Sequence, residues 1–118
     1  MKFIATFALI LFAFAAQCQV LVDDVDVNKL DHVKYVELVG QQKFLSMKIV
    51  VNVDYGQAYK PFKQQRVQDM NGKNMAFNSM IDALNFMEAN GWEFVNNYAT
   101  QTTDSSIFHY LLRRKEDK

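Results

Sequence analysis

The 118 residues carry 13 Lys and Arg against 13 Asp and Glu, half of them are apolar, and Cys18 is the sole cysteine. The charge balance excludes the broad basic field that nucleic-acid binding relies on, and a lone cysteine excludes an intramolecular disulfide framework. A chain of this size is expected to make one domain whose single core is held by packing.

Lys2 is followed by an apolar run from Phe3 to Ala16 that only Thr6 interrupts. The run is too short to cross a bilayer core of roughly 30 Å as a helix. It also lacks the polar face of a helix that packs on a small core. Ala13-Phe14-Ala15 sets small residues at the spacing a signal peptidase cuts, so residues 1–18 read as a signal peptide and the mature chain as exported, periplasmic or secreted, without a membrane span. Cys18 has a second reading as a lipid anchor, against which Gln17 stands where lipoprotein signals usually place a small residue.

Residues 19–32 set Asp23, Asp24, Asp26 and Asp31 among isolated valines and read as an extended acidic lead-in that packs poorly and spaces the domain from its export site. The domain itself is placed at 33–114, with 115–118 as a solvated charged tail. Val33 to Val39 is a β-branched, aromatic-rich strand expected to turn through Gly40 to Lys43. Leu45, Met47, Ile49, Val51, Val53 and Tyr55 alternate with more polar residues and predict a second, half-buried strand antiparallel to the first.

From Gln57 to Phe77 the chain is a loop-rich excursion containing Pro61 and an Asn71-Gly72 tight turn, with short edge strands at most around that turn. Ser79 with Asp82 three residues on is a helix cap. The helix runs to about Ala89 with Met80, Ala83, Leu84 and Met87 on one stripe, widened by Ile81 and Phe86, and Asn90-Gly91 stops it. Trp92 to Thr100 is a strand with Trp92, Phe94 and Tyr98 on one side, and Gln101 to Ser106 is a hairpin loop. Ile107 to Leu112 is apolar on both faces apart from His109, as in a central strand. The order predicts an α+β fold: an antiparallel sheet of about four strands with one helix packed across one face.

Leu84 to Val95, with Gly91-Trp92-Glu93 at its heart, and Phe108 to Arg114 together resemble a family of small bacterial domains of unknown function, in which a Tyr-x-Val strand precedes a helix, a Gly-Trp-Glu strand and a final strand ending in Lys or Arg. Tyr35 to Val39 stands where the opening strand would be. The match covers about the last 40 residues. The signal-like start and the long 57–77 excursion depart from the compact pattern and are closer to secreted variants of it. The resemblance implies the fold and a bacterial, exported setting, and no catalytic residue.

Asp24-Val25-Asp26-Val27-Asn28 begins like a calcium loop, but Lys29 stands at the sixth position, which needs glycine, and Tyr35 at the twelfth, which needs a bidentate Glu. His32 and His109 are the only histidines, too few for a zinc site with Cys18 at the mature terminus, so neither a metal nor another cofactor is expected. Trp92 suits either a stacking platform or the seal of a helix-to-strand corner. Tyr59 and Phe62, among Lys60, Lys63 and Arg66, form a basic-aromatic mixture. Tyr59, Phe62 and Trp92 are therefore the candidate residues of a partner or ligand surface. The reading that follows is a non-enzymatic exported module that binds itself or another exported protein, because one helix covers one face of a sheet. The alternative is a small-ligand-binding or hydrolytic protein with a site under the 57–77 loop and Asp54 or Asp69 turned inward.

Overall fold

The computed structural model describes residues 18–42, 48–59 and 65–116; residues 1–17 of the signal-like start, Lys43 at the end of the expected turn, and Phe62 lie outside them. The chain is α+β, with seven strands and one α-helix among the described residues: β1 (Leu21–Val22), β2 (Val25–Asp26), β3 (Tyr35–Gln42), β4 (Ile49–Asp54), β5 (Val67–Gln68), α1 (Met80–Ala89), β6 (Trp92–Gln101) and β7 (Ser106–Arg114). The main sheet has the order β4-β3-β7-β6 and is antiparallel throughout. A smaller sheet, β2-β1-β5, is also antiparallel. No helix among the described residues is long and apolar enough to cross a membrane.

The four-stranded sheet and the crossing helix agree with the sequence expectation. Ser79 caps α1 through Asp82 N–H at 3.2 Å while Asp82 Oδ2 accepts from Asn78 N–H at 3.0 Å, a reciprocal cap that satisfies amides with no partner inside the helix. Gly91, at φ +94°, supplies the left-handed residue that ends the helix. Met80, Ala83 and Met87 face the core; Ile81 does not belong to that stripe and is 59% exposed, because it falls on the flank away from the sheet.

Gly40 is not the turn its sequence context predicts. The strand runs through it to Gln42, and a Cβ at Gly40 would sit 2.2 Å from Met80 Sδ. Glycine is needed because the first turn of the helix presses on the strand there.

The 19–32 segment likewise is more than a spacer. Asp23 and Asp24, at φ 48° and 64°, form the two-residue turn of a β1–β2 hairpin. Val20, Val22 and Val27 point inward from it and are fully buried beside Val67 of β5. The acidic residues occupy the turn and flanks while the valines supply the core. Arg114 and the first residue of the expected tail, Lys115, are likewise tied down. Arg114 is half-buried, its guanidinium 4.8 Å from the Trp92 ring centre, and it donates to the carbonyls of Val27, Asn28, Leu30 and Val33 at 3.0–3.3 Å. Lys115 Nζ donates to the carbonyl of Glu88 at 2.6 Å, near the helix C-terminus, where a cation is favoured.

Candidate functional site

Trp92 follows the helix-ending glycine directly, and this carries it inward rather than to a surface. It is fully buried, and its indole N–H donates to Asn28 Oδ1 at 2.7 Å. Asn28 Nδ2 in turn donates to the Asn90 carbonyl at 2.8 Å, and Gln19 N–H donates to Asn90 Oδ1 at 3.2 Å. As a candidate surface residue Trp92 is corrected: it seals the junction of lead-in, helix and sheet. Asn28, at the end of the calcium-like run, is committed to the same junction. Tyr59 is 90% exposed; Cys18 is exposed, with its sulfur 4.0 Å from the Ala89 carbonyl.

The carboxylates named for a site under the excursion hold turns. Asp54 Oδ1 accepts from Gly56 N–H at 2.9 Å. Asp69 Oδ1 accepts from Asn71 and Lys73 N–H at 2.8 and 3.0 Å, around the Asn71-Gly72 turn that the sequence predicts, with Gly72 at φ +78°. A groove of about 230 Å³ does lie between β1, β5 and α1, bordered by Leu21, Met70, Met75 and Phe86. Its lining is mostly apolar, and the Asp69 oxygen beside it is already bonded to the backbone.

The chemistry the register brings together lies elsewhere, on the outer face of the main sheet. Strand pairing puts Val36 and Leu38 of β3, Ile49, Val51 and Val53 of β4, and Phe108, Tyr110 and Leu112 of β7 on the inner face, where all join the core. Tyr35, Glu37 and Val39 of β3, Val50 and Asn52 of β4, and Ile107, His109 and Leu111 of β7 therefore share the opposite face.

On β6 the alternation breaks. Phe94 pairs with Leu112 and Asn96 with Leu111, so Val95 is a bulge and the residues after it exchange faces. Tyr98 thus lies opposite His109 on the outer face, away from the side of Trp92 and Phe94 on which simple alternation places it. Its ring stacks on the imidazole at 4.3 Å with the planes 4° apart. His109 Nδ1 lies 2.9 Å from Glu37 Oε1, and Nε2 lies 3.3 Å from Thr100 Oγ1. In the neutral tautomer that carries its proton on Nδ1, Nδ1–H donates to Glu37 and Nε2 accepts from the threonine hydroxyl. One row down, Glu93 pairs with Arg113, whose pKa is raised first by that hydrogen bond and then by the charge of Glu93.

A carboxylate, an imidazole and a hydroxyl in series can pass a proton. A nucleophile, however, usually sits on a strained turn that exposes it to substrate. Thr100 instead belongs to a regular ladder opposite Ile107, and Tyr98 covers one face of the imidazole. The arrangement is better suited to holding a shaped polar patch within an apolar surface.

His109 is legible in the sequence as a residue on a sheet face, but its partners are not. Glu37 lies 72 residues away and Thr100 reaches it through the bulge, so only the register reveals them. No protein-family model, curated protein or solved structure matches this chain.

Proposed function

We propose that this protein is an exported, non-enzymatic interaction module that binds through the uncovered outer face of its four-stranded sheet. The observation that supports the reading is the division of labour along β3, β4 and β7. Their inner side chains enter the core, whereas Val39, Val50, Ile107 and Leu111 stay outside it and remain partly exposed. Together with Tyr35 and Tyr98, 58% and 54% exposed, they make an apolar field around the Glu37–His109–Thr100 row. An apolar field with a few fixed polar groups is the composition of a recognition surface. The partner is a second copy or another exported protein. Export rests on the signal-like residues 1–18, and kinship with small bacterial domains rests on Gly91-Trp92-Glu93 and the Arg-ended last strand.

The test is solution mass by light scattering together with binding of a hydrophobic dye. A self-associated protein, or a monomer that binds the dye, is expected, and Leu111→Lys should abolish the dye binding. A strict monomer that binds no dye would sink the proposal. Intact mass of the purified protein checks export: a start at residues 16–19 is expected, and a diacylglycerol increment on Cys18 would make the protein membrane-tethered instead.

A further inference from the structure

The two edges of the main sheet differ. Along β4 the excursion docks: Ile49 and Phe77 exchange backbone hydrogen bonds at 2.8 and 3.3 Å, and Val53 N–H donates to the Gln65 carbonyl at 2.8 Å. Along β6, β7 lies on one side and none of the described strands lies on the other. Residues Phe94 to Gln101 are all exposed.

A free edge is a template for another strand, and proteins usually blunt it with shortness, charge, proline or a bulge. β6 is ten residues long and its bulge is confined to Val95. Beyond the bulge, Asn96-Asn97-Tyr98-Ala99-Thr100-Gln101 carries neither charge nor proline. Glu93, the one charge in the strand, is neutralised by Arg113. Within the run, Asn97 N–H is met by the side-chain oxygen of its neighbour Asn96 at 2.8 Å, a local stand-in that an incoming strand's carbonyl can replace.

The charge pattern selects the occupant. An acidic or basic peptide would find no complementary charge along the run. When the strand meets itself antiparallel about a two-fold axis, each residue lies beside another of the same strand, and Asn, Tyr, Thr and Gln can do so without like-charge repulsion. We propose that the protein dimerises by antiparallel pairing of β6 with β6 of a second copy. The axis is perpendicular to the sheet, so the two main sheets become one continuous sheet with both Glu37–His109–Thr100 rows on the same side. The inference goes beyond the interaction-module reading, since the seam is the sheet edge and both outer faces stay open.

Sedimentation velocity of the mature chain over a concentration series tests it. The expected result is a dimer. Asn97→Lys and Asn97→Asp, each near the middle of β6, should weaken it by about ten-fold or more because a two-fold axis there sets the two like charges side by side. Both variants should keep the wild-type circular dichroism spectrum and a single cooperative melt, and an equimolar mixture should restore the dimer. A dimer indifferent to both substitutions would overturn the β6 seam and leave the interaction module standing. A wild-type monomer that still binds the hydrophobic dye would do the same; a monomer that binds none would overturn both.

Discussion

The inner and outer faces of the main sheet are made from alternate residues of the same strands, yet they are held in different ways. The inner face is closed by groups from far along the chain: Met80 packs against Gly40, Asn28 takes the indole proton of Trp92, and Arg114 binds four carbonyls of residues 27–33. The outer face is held by neighbours on adjacent strands, with His109 between Glu37, Thr100 and Tyr98. Stability therefore concentrates on the inner face, which leaves the outer face to the recognition role proposed above.

Substitutions can break that division. Trp92→Ala should have the largest effect, about 3–5 kcal/mol of unfolding free energy, since it leaves a large cavity and an unpaired Asn28. A shift of only a degree or two in thermal melting would mean that Trp92 is not the keystone of the inner face. Arg114→Ala comes next, at about 2–3 kcal/mol, because half-buried carbonyls lose a charged donor. Arg114→Lys should recover little of this in chemical denaturation, since an ammonium cannot span the four acceptors. Gly40→Ala should cost about 1–2 kcal/mol by pushing Met80 off the strand, and Met80→Ala in the same chain should relieve the clash. On the outer face, His109→Ala should cost about 1 kcal/mol, less than Arg114→Ala, because the lost stacking and hydrogen bonds lie on an open sheet face. A loss as large as that for Arg114→Ala would show that both faces carry the fold.

The contrast also explains what the sequence reveals. Elements stated locally are legible: the alternation from Ile49 to Val53, the Ser79–Asp82 cap, the Asn90-Gly91 stop and the Asn71-Gly72 turn each carry their cause within a few residues. The features that escape are pairings over long separations. Val20, Val22 and Val27 look isolated among aspartates because β1 and β2 are two residues each, too short to show a period. Arg114 looks like no more than the charged end of the final strand until its acceptors, more than 80 residues upstream, are placed beside it. The bulge at Val95 leaves no mark in composition, yet it moves Tyr98 from one face to the other and so decides half of the candidate site.

Arg114 also bears on when the protein folds. It is the last residue of β7, the last of the described strands, and its acceptors lie more than 80 residues upstream, so the junction cannot close until residues 27 to 114 are all available. Contacts of such separation make folding slow and leave partial chains without a complete core. Under the export proposed above, this late closure would keep the chain extended in transit until β7 has arrived.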